Sequence, residues 1–301
     1  MIHIRPWGRL GNQMFQYAAA RLTAERLRCP LLIEEPAFGL SHALRRSARR
    51  LSGYALFNLF DELHPGMRGH VVGAARSLSP KLTQRALEKI FPHAFSPARA
   101  DSSSIENNER FDAGFFDIVK YTRMTGFYQS VGYFAGHESR VRSWFSPKSA
   151  EAAAVRGQWA RAGLDPENTV AVHMRLGDYQ QQKTAAMGED GWILPRDYYD
   201  RALSSLGTNY PIALFSDEPD KARELLGREV AYVSDGSDIK RDLYMISSCN
   251  RIVIANSSFS WWAAWLNSGA GKMIVAPKYH AGWRIREWYP AGIKVEGWTY
   301  V

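Results

Sequence analysis

At 301 residues the chain is long enough for two domains that each bury a core, and 46% hydrophobic with 23% charged residues is an ordinary globular composition. Two cysteines, Cys29 and Cys249, exclude a disulfide framework, and no Cys/His cluster has metal-ligand spacing, so both read as free thiols of a reducing compartment. No run of about 18 apolar residues could span a membrane, and Met1-Ile2-His3-Ile4-Arg5-Pro6 lacks the apolar core of a signal peptide, so a cytoplasmic protein is expected.

The chain opens as strand, turn and helix. Ile2 and Ile4 alternate, residues 6–11 turn, and residues 13–27 are rich in Ala and Leu with few breakers. Leu31-Leu32-Ile33 predicts a second short strand. Gly8-Arg9-Leu10-Gly11 could be read as a dinucleotide loop with Glu34 on the ribose, but its spacing is G-x-x-G rather than G-x-G-x-x-G. From about residue 36 to 165 the pattern breaks into short helical pieces that give no order.

The formal net charge of +8 sits largely within this stretch. Residues 41–100 hold ten Lys/Arg, among them Arg45, Arg46, Arg49 and Arg50, against three acids. One reading is a solvated basic face. The other is attraction to a diphosphate-linked acceptor or to an anionic membrane, making the protein peripheral on its inner face. No nucleic-acid motif accompanies the charge, so no nucleic acid is expected as partner.

Beyond a Gly/Asp/Pro/Asn turn at 163–168 the pattern clarifies. Apolar strands are predicted at 169–172, 212–215, 230–233, 252–255 and 273–276, with helices at 196–206, 219–226, 240–249 and 259–266. Such alternation argues for a parallel, doubly wound sheet. The expected fold class is α/β, with two Rossmann-like domains facing a cleft: 1–165 on the acceptor side and 166–301 for the nucleotide.

In such sheets ligands bind beyond the carboxyl ends of the strands. The residues there are His173-Met174-Arg175-Leu176-Gly177-Asp178-Tyr179, Ser216-Asp217-Glu218, Ser234-Asp235-Gly236 and Asn256-Ser257-Ser258-Phe259-Ser260. Arg175 offers a planar fork for two phosphate oxygens, and His173, two residues away on an extended segment, points to the same side. The 256–260 segment caps a helix and presents N–H groups and hydroxyls suited to an anion. Asp217 has the acceptors that guanine's N1–H and 2-amino group require. No Asp-x-Asp pair occurs in the chain, so diphosphate stabilisation is expected from Arg175 and backbone donors, with no metal and no other cofactor.

These motifs, with Gly8-Arg9-Leu10-Gly11-Asn12-Gln13-Met14-Phe15-Gln16-Tyr17, Phe215-Ser216-Asp217 and the extension through Trp261-Trp262, resemble the α-1,2-fucosyltransferases of glycosyltransferase family 11. The resemblance implies a GT-B-like fold, GDP-fucose as donor, inversion, and transfer to the 2-hydroxyl of a galactose in an oligosaccharide or lipid-linked glycan. It places Arg175 on the β-phosphate, supported by Asn256, Ser257, Ser258 and Phe259, with His173 and Asp217 on the guanosine. Asn12 and its loop would lie near fucose and acceptor, and Asp178 is a candidate base. Many relatives carry a second arginine where this chain has Leu176. Rival readings are an α-1,6- or O-fucosyltransferase, against which the 256–262 motif argues, and a non-catalytic nucleotide-sugar or polyanion binder. An NAD-dependent oxidoreductase fails on the glycine spacing.

Overall fold

The computed structural model describes residues 2–33, 111–119, 122–180, 191–207 and 209–301; Glu34 and the basic segment 41–100 lie outside the described residues. The chain divides into two compact units, Met1–Trp144 and Phe145–Val301.

In the first unit β1 (Ile2–Ile4) runs parallel to β2 (Leu31–Ile33) and β3 (Thr122–Met124), in the order β2-β1-β3 among the described strands. Ile2 stands opposite both Leu31 and Thr122, which fixes the register on either side. The connecting helix α1 (Leu10–Arg26) starts earlier than its apolar run, taking in Leu10, Gly11 and Asn12. It is buried on most sides, which Ala18, Ala19 and Ala20 permit by letting neighbours approach closely. Helix α2 (Glu138–Phe145) closes this unit and leads into the next.

Helix α3 (Ser149–Ala162) belongs to the second unit. The Trp159 indole N–H donates to Ser248 Oγ at 2.9 Å, and its ring lies 6.0 Å from that of Tyr232. Gly163, in the left-handed region at φ 66°, ends the helix. The 163–168 turn is therefore the exit of a helix packed on the second unit, and that unit begins earlier, at Phe145.

The second unit holds a parallel sheet of β4 (Val170–Met174), β5 (Ile212–Ser216), β6 (Tyr232–Val233), β7 (Arg251–Val253), β8 (Met273–Ala276) and β9 (Thr299–Tyr300). The order is β6-β5-β4-β7-β8-β9. Besides α3, its described helices are α4 (Arg196–Leu206), α5 (Pro219–Leu226), α6 (Ile239–Ser248) and α7 (Ser258–Leu266). Central β4 is buried at every position, as a strand covered on both faces must be. Val170, Val172 and Met174 pack with Tyr198, Tyr199 and Leu203 of α4 on one face. Ala171 and His173 therefore project to the other face, where α7 lies, with Trp262 packed edge-on against Phe145 at 5.1 Å. Among the described residues no helix is long and apolar enough to cross a membrane.

Candidate active site

The strand order of the second unit reverses at β4: the chain steps outward to β5 and β6, then returns to place β7 on the other side of β4. The loops after β4 and β7 diverge there, opening the crevice in which such sheets bind ligands. Eight of the nine candidate side chains lie on or beside these loops or after β5; Asn12 lies in the first unit.

Arg175 is the centre of the charged group. One terminal nitrogen, Nη2, donates to Asp178 Oδ1 at 2.6 Å, and the other, Nη1, pairs with Asp217 Oδ2 at 3.0 Å. The fork is thus held at both tips instead of standing open. A guanidinium has five N–H groups, so the two pairings leave donors to spare while fixing the plane. The side chain is only 12% exposed, and low exposure strengthens its field. Asp217 also accepts from the Leu176 amide at 3.0 Å, tying the end of β5 to the loop after β4. Leu176 is buried in the core of this unit. Gly177 makes the arrangement possible, because a Cβ there would stand 2.6 Å from Asp217 Oδ2.

His173 is buried, and its Nδ1 has no hydrogen-bond partner. Burial, aided by the neighbouring Arg175 charge and opposed by Asp217, pushes its pKa down to about 3. The ring is therefore neutral at physiological pH and packs 5.4 Å from that of Phe259. Phe259 stands in the first turn of α7, whose N-cap Ser257 makes no side-chain capping bond. That turn holds no acidic residue, and the positive end of the helix dipole is not neutralised locally.

Asn256 is buried, with Nδ2 donating to the Trp192 carbonyl at 2.8 Å and Oδ1 unpartnered. Its own carbonyl accepts from the Tyr179 hydroxyl at 2.9 Å, and the Tyr179 and Trp192 rings meet edge-on at 5.5 Å. Tyr179 and Trp192 were not singled out as site residues from sequence. Tyr179 closes the His-x-Arg-x-Gly-Asp-Tyr motif and could have been; Trp192 has no local signal.

In the first unit the corresponding edge lies where β1 is flanked by β2 and β3. Asn12 Oδ1 accepts from Gln129 Nε2 at 2.7 Å, joining the start of α1 to the loop after β3. Gln13 Nε2 donates to the Gly8 carbonyl at 2.7 Å, and the Gln16 side-chain amide both accepts from the Trp7 amide at 3.1 Å and donates to its carbonyl at 2.8 Å. Gly8 adopts φ +78°, and a Cβ there would meet Asn12 Nδ2 at 2.6 Å, so glycine is required. Among the described residues no group of three His, Cys, Asp or Glu side chains could hold a metal ion.

Residues 104–301 match the model of the family described as Glycosyl transferase family 11. The chain is 24% identical over 294 residues to the O-antigen biosynthesis glycosyltransferase WbnK of Escherichia coli, covering 91% of this chain and 93% of that one. It is 27% identical over 281 residues to an alpha-1,2-colitosyltransferase of Escherichia coli, covering 90% and 89%. Galactoside 2-alpha-L-fucosyltransferase Sec1 of Mus musculus is 24% identical over 288 residues, which make up 89% of this chain and 65% of the mouse protein.

Proposed function

The chain belongs to glycosyltransferase family 11, and we propose that it transfers L-fucose from GDP-fucose to the 2-hydroxyl of a terminal galactose, with inversion and without a metal ion. The observation that carries this reading is Arg175, fixed between Asp178 and Asp217 beside the uncapped start of α7 at the β4/β7 crevice. When the bond from the anomeric carbon to the phosphate oxygen breaks, its electron pair leaves with the diphosphate. Charge then grows on the β-phosphate oxygens, where donors already in place cost no reorganisation. The galactose hydroxyl attacks the opposite face of the anomeric carbon and passes its proton to a base, for which Asp178 is the candidate.

In this scheme Asp178 and Asp217 orient Arg175. Asp217 keeps acceptor capacity beyond its two bonds for guanine, and neutral His173 packs near the nucleoside. A specific observation favours one second reading. The relative named an alpha-1,2-colitosyltransferase is among the matches that span nearly the whole chain, so colitose is the competing sugar for the same linkage.

The test is an acceptor screen with GDP-fucose and GDP-colitose in excess chelator, followed by linkage analysis of the product. Fucose α-1,2-linked to galactose is expected. An α-1,6 or O-linked product, a preference for colitose, donor binding without turnover, or activity that requires added manganese or magnesium would each overturn the corresponding part.

A further inference from the structure

Trp7 is the conspicuous unexplained residue of the first unit. The residue is 42% exposed, although it stands at the carboxyl edge of the central strand on a backbone held by side-chain hydrogen bonds. Two buried glutamines are used to hold it: Gln16 brackets the Trp7 peptide groups with two hydrogen bonds, and Gln13 fixes the next carbonyl. Burying an amide side chain costs free energy unless its partners are in place. Here those partners are the backbone that carries an exposed ring. Phe127, from the loop after β3, stacks on the indole with centroids 3.9 Å apart and planes 29° from parallel. One indole face is thereby covered, so the exposure belongs to the other face and the edges. Beside the stack, the Asn12–Gln129 amide pair bridges the same two loops. A rigid aromatic face bordered by neutral amides has the chemistry of a site for an uncharged sugar ring.

Resting on the transferase reading above, we infer that the Trp7–Phe127 stack is the platform for the acceptor galactose. A galactopyranoside has an axial 4-hydroxyl on one face, which leaves the C–H bonds at C3, C4 and C5 as an apolar patch on the other. That patch lies flat on an indole, and the ring hydroxyls at its edge meet amides. The groups that bridge the two loops carry no charge, although Arg5 and Arg9 are exposed on the Trp7 loop, and the donor KM in the experiment below separates a neutral ligand from a diphosphate.

The experiment uses the full chain with methyl β-galactoside as probe. Trp7→Ala should raise the acceptor KM by about tenfold, as truncating an aromatic anchor does, while the GDP-fucose KM and inhibition by GDP stay unchanged. Trp7→Tyr should restore part of the loss. Saturation-transfer NMR of the parent should show the strongest signals at H3, H4 and H5 of the galactoside, weakened in Trp7→Ala. Gln16→Met, which leaves the indole in place but releases its backbone, should move the acceptor KM in the same direction. An acceptor KM within about twofold of the parent in Trp7→Ala, far below an anchor's usual effect, would overturn the platform alone. A rise in donor KM instead would make the stack part of the fucosyl site. Failure of the unmutated chain to use any galactoside would overturn the functional reading and the platform with it.

Discussion

The two units present the same kind of sheet edge with opposite chemistry. At the β4/β7 edge the groups that join one loop to the next are charged: Arg175 lies between two carboxylates, near the start of a helix with no acidic residue in its first turn. At the β1/β3 edge the joining groups are amides and aromatic rings, Asn12 with Gln129 and Trp7 with Phe127. A parallel sheet supplies the crevice in both cases, and the side chains decide what it can hold. Preorganised charge suits a ligand whose own charge changes during reaction. Fixed amides and rings suit a neutral ligand that must only be oriented.

The comparison breaks most readily at Arg175. If the charged edge stabilises a departing diphosphate, Arg175→Ala should lower kcat by about 10²–10³, the loss seen when one charge-stabilising donor is removed. Arg175→Lys should recover little, because a point charge cannot bridge Asp178 and Asp217 as the planar fork does. Steady-state kinetics on variants with parent-like circular dichroism decide this. A kcat within about threefold of the parent, well short of a lost donor, would make Arg175 structural.

A smaller effect is expected at Gly177. An alanine Cβ 2.6 Å from Asp217 Oδ2 must displace the carboxylate, leaving Arg175 with one anchor. Loosening a positioned group without removing it should cost about tenfold in kcat. Introduced into an Asp217→Ala background, where the clash is gone, Gly177→Ala should add little, and a double-mutant cycle reads that coupling. Additive losses would show that Gly177 acts by some other route.

The same contrast explains what was legible in the sequence. In the second unit most strands and helices beyond residue 168 were readable, because buried parallel strands are continuous apolar runs and their ends are marked by polar residues. Of these, α4, α5 and β8 have their expected limits, whereas β4, β6 and β7 are shifted at their ends, so that His173 lies inside β4. β3 escaped because Thr122-Arg123-Met124 is three residues long with a charge at its centre, and β9 is only two residues. Helix α3 buries little beyond Val155 and Trp159, too few for a periodic signal. At the charged edge, strand-end position alone picked out His173, Arg175, Asp217 and Asn256. The pairing of Asp178 and Asp217 around Arg175 could not be read, since it joins loops 41 residues apart, as the Leu176–Asp217 bond shows. At the neutral edge Asn12, Gln13 and Gln16 were visible within a motif. Gln129, which bonds Asn12, and Phe127, which stacks on Trp7, were not, because they sit in a stretch without periodicity.

The least of the expected effects sharpens the comparison by pH. The clamps of the neutral edge are amides and do not titrate, whereas the charged edge contains His173, buried and held near pKa 3 against an ordinary 6.5. Between those values the unfolded chain binds a proton that the folded chain refuses, so His173 makes stability fall as pH drops through 6.5 toward 3. His280, buried with its pKa lowered to about 4, acts in the same direction. Asp242 acts in the other: burial raises its pKa to about 6 from 3.8, so the folded chain takes up its proton first and gains stability as pH falls through that window. The two histidines together outweigh the one carboxyl, and the protein should lose stability below pH 6.5. His173→Gln keeps a polar side chain but removes one titration. Against the parent, it should flatten the dependence by about one proton, or roughly 1.4 kcal/mol per pH unit well below 6.5. Urea unfolding followed by tryptophan fluorescence at pH 7.5, 6.5 and 5.5 measures both slopes. Parallel slopes would mean that His173 is protonated in the folded chain, and the neutral ring packed against Phe259 would have to be given up.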